Sequence, residues 1–270
     1  MNKIQNEPLV SILMNCYNGE KFLAESISSV VNQTYSNWEL VFWDNQSSDN
    51  SADIVKQFND SRIKYFLSSD HTNLGNGRAR AWKYLNGEFI SILDVDDLWL
   101  PKKIEEQLPL FNNSDVGIVI SNTEFISNNY VKPLYQKIKP FQGSVFRELI
   151  KSYFVSIETL MLRKKFIENL DVAIDNDFNH ISDMDLVIRL SYICKLKYID
   201  LILAKRRIHE GNASWHFPKA YNKERLLFLD KLKKTIPDFK KDYSIEKNVF
   251  YRSIKHSQSF IAMMEGKLLL

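Results

Sequence analysis

Apolar and polar positions change places in short blocks along the first 125 residues. Leu9 to Asn15 is a nearly continuous apolar run, the signature of a strand buried on both faces. Glu20 to Asn32 follows with Phe22, Leu23, Ile27, Val30 and Val31 at helical spacing. Trp38 to Trp43 is rich in aromatic and β-branched residues and stops at Asp44, and after polar Asn45 to Asn50 the segment Ser51 to Phe58 reads as a helix. Arg62 to Leu67 predicts a strand, Arg78 to Leu85 a helix, and Glu88 to Leu93 a strand. Pro101 suits the first turn of another helix, and Val116 to Ile120 is a further buried strand. Strands alternating with helices imply an α/β fold, a parallel sheet with helices on both faces.

Beyond residue 125 the pattern is less regular. Glu148 to Phe154 and Asp183 to Tyr192 have helical spacing, separated by loops with several Asn and Asp, and Lys223 to Lys234 and Ile245 to Met264 are helical again. No internal repeat or low-complexity linker interrupts the chain. The pattern divides it into a body, residues 1–217, with halves at about 8–125 and 126–217, and a helical C-terminal extension, residues 218–270.

In parallel sheets ligands bind beyond the carboxyl ends of the strands. Asn15, Asp44 and Asp94 each follow an apolar strand, so all three are expected to line one crevice. Asp94-Val95-Asp96-Asp97 then puts three carboxylates within four positions. Such groups raise one another's pKa unless a cation compensates, and they make a hard oxygen site suited to Mn²⁺ or Mg²⁺. The alternative is an acidic turn capping the helix near Pro101, a role that fits Asp97 even where Asp94 and Asp96 are functional.

Composition narrows the class. The 270 residues are 44% hydrophobic and 26% charged, values of an ordinary globular protein. Cys16 and Cys194 share no metal-ligand spacing, which favours a reducing, cytoplasmic setting over a disulfide framework. Met1 to Pro8 is polar, without the apolar stretch of a signal peptide, and no apolar run reaches the ~20 residues of a spanning helix. The net charge of +3 is uneven: residues 218–270 hold 12 Lys/Arg against 6 Asp/Glu, leaving −3 on residues 1–217. A basic extension on an acidic body suits either a solvated helix or peripheral contact with an anionic membrane. No nucleic-acid-binding signature is present, and Gly75-Asn-Gly77 lacks the Lys-Ser/Thr of a phosphate-cradling loop.

Six segments in order carry a family resemblance. Val10-Ser-Ile-Leu-Met-Asn-Cys-Tyr-Asn18, Ser26-Ile-Ser-Ser-Val-Val-Asn-Gln-Thr-Tyr35, Trp43-Asp-Asn-Gln-Ser-Ser-Asp49, Gly77-Arg-Ala-Arg80, Gly87-Glu-Phe-Ile90 and Asp94-Val-Asp-Asp97 resemble successive motifs of the family 2 glycosyltransferases. The resemblance is close over roughly residues 8 to 125 and looser to about 216. It implies a GT-A fold, a nucleotide-sugar donor, a divalent metal and inversion at the anomeric carbon. It places Asn15 near the donor base or ribose, and Asp44 and Asn45 where the family usually has two aspartates, the second a base contact. Asparagine both donates and accepts, so Asn45 is compatible with a uracil edge, though the departure weakens the case for a UDP-sugar. Asp49 matches a later aspartate that caps the helix through Ser51. Arg78 matches an arginine that reaches diphosphate or the acidic cluster. Asp94 is then the ribose contact and Asp96 the metal ligand.

Ile181-Ser-Asp-Met-Asp-Leu-Val-Ile-Arg189 resembles the segment that carries the catalytic base. The alignment puts Asp183 in the base position, Ser182 where glutamate is usual, and Arg189 at the arginine; Asp185 is the second candidate base. Read without the family, Asp183 is a carboxylate favoured by a helix N-terminus. Arg206 to Trp215 resembles the family's loop after its last strand, with Arg207 assisting at the diphosphate and His209 at the metal. His71 and His180 match nothing in the family pattern. The implied activity is transfer of a sugar from a nucleotide donor, a UDP-sugar first, to a glycan or lipid-linked acceptor in bacterial surface polysaccharide synthesis. The alternatives are a sugar nucleotidyltransferase, which shares the α/β fold and metal use, and a non-catalytic nucleotide-sugar-binding protein.

Overall fold

The structure, a computed structural model, describes residues 7–127, 131–212, 217–237 and 239–264. Its first half follows the hydrophobic pattern closely: β1 (Val10–Cys16), α1 (Glu20–Val31), β2 (Trp38–Asp44), α2 (Ser51–Gln57), β3 (Ile63–Leu67), α3 (Leu74–Trp82) and β4 (Phe89–Ile92). β1 pairs in parallel with both β2 and β4, and β2 with β3. Alternation along the strands sorts the apolar residues between two cores. Val10, Ile12, Met14, Leu40 and Phe42 pack with Leu23 and Ile27 of α1, whereas Leu13, Val41, Ile90 and Ile92 face the other way.

α3 begins four residues before the expected Arg78. Asn73 caps it, its side chain accepting from the Asn76 N–H at 2.8 Å. Gly75 and Gly77, which read as helix breakers, serve close approach: a Cβ on Gly75 would lie 1.8 Å from the Phe178 carbonyl oxygen, and one on Gly77 2.5 Å from Asn15 Oδ1.

Next come β5 (Leu98–Trp99), α4 (Lys103–Gln107), β6 (Val116–Ile126), β7 (Val131–Pro133), α5 (Phe146–Lys151), β8 (Met161–Arg163), α6 (Lys164–Ile167), α7 (Ser182–Ile193) and β9 (Lys195–Arg207). The sheet runs β3-β2-β1-β4-β8-β6-β9-β5, with β7 on β6. β8 pairs antiparallel with both β4 and β6, joining the two halves. β9, a 13-residue strand with only a short apolar run, lies parallel to β6 with irregular register.

The extension forms α8 (Pro218–Thr235), α9 (Phe239–Asp242) and α10 (Ser244–Met264). Phe228, Leu229 and Leu232 of α8 and Phe250 and Ile254 of α10 enter the same core as Leu186, Val187 and Leu190 of α7. Its basic residues also point inward in part: Lys231 Nζ bonds Asp175 Oδ2 at 2.5 Å and Asp185 Oδ1 at 2.9 Å. No helix among the described residues is long and apolar enough to cross a membrane.

Candidate active site

The carboxyl ends of β1, β2 and β4 open into a crevice of about 770 Å³, lined among others by Asn15, Asn45, Arg78, Asp94, Asp96, Asp97 and Asp183, a size suited to a small-molecule ligand. Asn15 is buried and its Oδ1 has no hydrogen-bond partner, a polar atom that a ligand would satisfy. Arg78, only 3% exposed, reaches from α3 to the end of β4, where Nη2 bonds Asp94 Oδ1 at 2.6 Å. Its Nη1 lies 3.5 Å from Ser182 Oγ, and its Nε is buried without a partner.

Asp44 and Asn45 have other partners. Asp44 does not line the crevice: it is 1% exposed, Oδ1 accepts from the Ser47 N–H at 2.7 Å and Oδ2 from the Tyr65 hydroxyl at 2.7 Å. The Asn45 amide donates to the Thr72 carbonyl at 2.6 Å and accepts from the Thr72 hydroxyl at 3.0 Å. Asp44 therefore shapes the loop behind the crevice, and Asn45 ties the crevice wall to Thr72. Asp49 behaves as the capping alternative expects, accepting from the Ser51 N–H at 3.0 Å and the Glu20 N–H at 2.9 Å, so it serves both α2 and α1.

The acidic cluster divides by contact. Asp94 meets Arg78. Asp96 Oδ2 lies 2.9 Å from His209 Nε2 and 3.3 Å from Asn212 Nδ2. The Gly211 N–H donates to His209 Nδ1 at 3.1 Å, which leaves the ring proton on Nε2, pointed at Asp96. Burial pushes the Asp96 carboxyl up, the Asp94 charge adds to this, and His209 opposes it. Asp97 caps no helix. It is buried, and Oδ1 accepts the Arg207 N–H at 2.9 Å, tying the acidic loop to the end of β9. Burial, then Glu158 and the other two aspartates, hold its pKa well above the usual range.

Arg207 and Arg206 part company because neighbours on a strand face opposite sides. The Arg207 side chain bonds Glu25 Oε2 at 2.5 Å and covers the Phe22 ring at 4.8 Å, in a separate hollow outside the crevice. Arg206 lines the crevice. Burial works against its charge, and Glu158, Asp97, Asp94 and Asp183 together sustain it. Sequence reasoning chose Arg207 by family spacing; period-2 alternation beside the charged pair was the signal for Arg206. Ala213 to His216, the end of that loop, lie outside the described residues.

Asp183 occupies the first turn of α7 and lines the crevice. Burial raises its pKa, the Arg78 guanidinium opposes this, and Asp94 adds to the rise. Asp185 is out of reach: fully buried, it bonds Arg189 Nη2 at 2.5 Å and Lys231 at 2.9 Å, so it and Arg189 anchor α7. The turn before α7 is held from the extension, where Glu224 accepts from the N–H groups of Asn179 (3.1 Å), His180 (2.7 Å) and Ile181 (3.2 Å). Tyr17, His71, Tyr153 and Tyr221 also line the crevice, and the buried Tyr153 hydroxyl has no partner. Nothing in hydrophobic periodicity distinguishes such tyrosines from core residues.

Among the described residues no three or more His, Cys, Asp or Glu side chains are gathered to hold a metal ion, so a hard divalent ion would rest on fewer protein ligands and on the donor itself. Asp94 and Asp96 each keep one carboxylate oxygen outside the bonds described above, and their mutual repulsion, felt at Asp96, is what a cation would relieve. His209 is held in line with Asp96 and would ligate through Nε2 in the other tautomer, with the ring proton on Nδ1 and the Gly211 N–H bond released.

Residues 11–171 match the family described as Glycosyl transferase family 2. The chain is 36% identical over 159 residues to the UDP-Glc:alpha-D-GlcNAc-diphosphoundecaprenol beta-1,3-glucosyltransferase WfgD of Escherichia coli, a match spanning 59% of this chain and 62% of that relative. It is 32% identical over 213 residues to an uncharacterised glycosyltransferase of Methanocaldococcus jannaschii, covering 75% and 72% of the two chains. The S. aureus TarS fragment 1–349 bound to UDP-GlcNAc superposes with a TM-score of 0.72 at 16% identity, over 89% of this chain and 70% of that one. The mannosyltransferase PcManGT of Pyrobaculum calidifontis, solved with GDP-Man and Mn²⁺, superposes at 0.69 and 14% identity, over 98% and 77%. The expected GT-A fold is the fold of this chain, and with 161 of its 270 residues inside the family match, the chain belongs to glycosyl transferase family 2.

Proposed function

We propose that the protein is an inverting glycosyltransferase that moves a sugar from a nucleoside-diphosphate donor, a UDP-sugar, to an acceptor hydroxyl during synthesis of a bacterial surface polysaccharide. The observation that carries this is the meeting, in one crevice, of Asp183 with the Arg78–Asp94 pair. Asn15, Arg78 and Asp94 hold the donor. Asp44 and Asn45 hold the loops around it, and Arg207, through its backbone bond to Asp97, holds the acidic loop.

Inversion requires a single displacement with a base on the acceptor's side. Asp183 takes the acceptor hydroxyl's proton as that oxygen bonds the anomeric carbon, and the bond from that carbon to the diphosphate breaks. Its raised pKa suits this work, since a stronger base is a better proton acceptor near neutrality. When bound at Asp96 and His209, a Mn²⁺ or Mg²⁺ ion would supply positive charge against the nucleoside diphosphate. Arg206 faces the same space and adds charge of the same sign.

The E. coli relative's name specifies a lipid-diphosphate-linked sugar acceptor. That supports a lipid-linked acceptor here, with the basic extension making peripheral contact with the anionic cytoplasmic face of a membrane. Family membership weighs against a sugar nucleotidyltransferase. Incubation with UDP-glucose, Mn²⁺ and a lipid-diphosphate-linked sugar acceptor, followed by ³¹P NMR, tests the reading: UDP and glycosylated acceptor are the expected products, and pyrophosphate released in a parallel incubation with UTP and a sugar 1-phosphate would overturn it.

A further inference from the structure

His71 matches nothing in the family pattern, yet it lines the same crevice as Asn15, Asn45 and Asp94. The Asn45 amide is already committed: Nδ2 to the Thr72 carbonyl, and Oδ1 to the Thr72 N–H at 3.2 Å and hydroxyl at 3.0 Å. Buried to 2% exposure, and with Oδ1 already accepting two hydrogen bonds, it has no side-chain lone pair left to accept a ring N–H. Its main-chain carbonyl, however, accepts a hydrogen bond from His71 Nδ1 at 2.9 Å. A carbonyl oxygen has only lone pairs, so the proton must sit on Nδ1, and in the neutral ring Nε2 keeps its lone pair. No described residue pairs with that nitrogen, and His71 lines the crevice at its rim. Its ring lies 4.2 Å from that of Tyr17, which follows β1 directly and is 51% exposed. The residue after Asn45, Gln46, is left-handed at φ 68°, and its side chain donates to the Ser68 carbonyl. The turn that aims the Asn45 carbonyl at His71 is thus held from both sides.

The geometry points to His71 as the residue that selects the donor's base: Tyr17 offers a face for it, and His71 Nε2 accepts a hydrogen bond from a ring N–H. Uracil and guanine carry that N–H on their pairing edge. Cytosine and adenine carry a lone pair at the equivalent ring nitrogen, which would face the Nε2 lone pair and be rejected. The inference rests on the donor-site reading above and adds to it the class of base and the residue that reads it. The acceptor function expected of the residue at position 45 is relayed, through its carbonyl, to position 71.

Calorimetric titration of UDP, GDP, CDP, ADP and N3-methyl-UDP in Mn²⁺ tests this. Wild type is expected to bind UDP, GDP or both about tenfold more tightly than CDP and ADP, the scale of one hydrogen bond. N3-methylation of UDP should remove that gain with the protein unaltered. In His71→Ala, UDP binding should fall to the CDP level while CDP is little changed, and Tyr17→Ala should weaken every nucleotide alike. If His71→Ala keeps the wild-type UDP-to-CDP ratio, or N3-methyl-UDP binds like UDP, the assignment of His71 is overturned and the donor site stands. If none of the diphosphates binds, the donor-site reading falls and this one with it.

Discussion

On the wall of the crevice proposed to hold the donor, Asn15, Asn45 and Asp94 sit at or just beyond the ends of β1, β2 and β4, so the backbone of a buried parallel sheet sets their positions. On the wall proposed to take the acceptor, Asp183 sits in the first turn of α7, and the turn before it is held by Glu224, a side chain from α8 more than forty residues away. A sheet end keeps its geometry when one contact is lost, because neighbouring ladder bonds remain. The turn before α7 has fewer bonds to fall back on: besides Glu224 it is held by the Leu74 N–H on Asn179 Oδ1, with Asp185 and Arg189 anchoring the helix beyond it. Catalysis on this scaffold should therefore fail at the acceptor wall through single distant substitutions that leave donor binding untouched.

The largest separation of the walls is expected from Asp183→Asn. Loss of a general base costs about 10²–10⁴-fold, so transfer should fall on the order of a thousandfold while UDP affinity, measured by calorimetry, changes less than about twofold. A UDP affinity that falls in step with turnover would merge the two walls. Arg78→Ala should strike both, since the residue bonds Asp94 on one wall and approaches Ser182 on the other. Removing one partner of a pair that is buried on the arginine side leaves Asp94 uncompensated. With Asp94 partly exposed, the cost is expected to be about 2 kcal/mol in chemical denaturation, with UDP binding weakened about tenfold or more.

Glu224→Ala sharpens the comparison further. Loss of an anion at a helix start costs about 1 kcal/mol. Hydrogen exchange should accelerate at the amides of Asn179, His180 and Ile181, and kcat should drop roughly tenfold as Asp183 loses its place, with UDP affinity retained. Unchanged kcat alongside faster exchange would limit Glu224 to stability.

The smallest effect concerns pH. Asp96, Asp97, Glu158 and Asp183 all have pKa values raised first by burial. Between the ordinary carboxylate range and these raised values the folded protein holds protons that the unfolded chain has released. Stability should then rise as pH is lowered from about 7 to about 5 in chelator. Lys103, pushed down to about 7 by burial, titrates in the fold at the upper edge of that window. Thermal melts should show a flatter pH trend in a variant carrying both Asp96→Asn and Asp183→Asn; an identical trend would place the titration elsewhere.

The same contrast explains what could be read from the sequence. Strands β1 to β4 and the helices between them follow from apolar runs and spacing because each is buried through its own residues, and the strand-end rule brought Asn15 and Asp94 to one crevice. It failed for Asp44, whose carboxylate turns back to Ser47 and Tyr65, since periodicity locates a residue on the chain and not its rotamer. β9 is hard to read from the sequence because its pattern changes along its length, from alternation at Lys195 to Tyr198 to a short apolar run at Leu201 to Ala204 and then three basic residues, and its register with β6 slips where the pattern changes. Glu224 had no local signal at all: its three partners lie in a loop far back in the chain. His71 was passed over because a lone histidine carries no spacing, and its role depends on which of its nitrogens a main-chain carbonyl holds.

The division between the walls is tested most directly by one paired measurement on Asp183→Asn: its UDP affinity by calorimetry and its turnover of UDP-sugar by ³¹P NMR, both in Mn²⁺ and both against wild type. Retained UDP affinity with turnover lost by about a thousandfold is the expected result. Turnover near the wild-type rate would contradict it and remove Asp183 from the proton-accepting role.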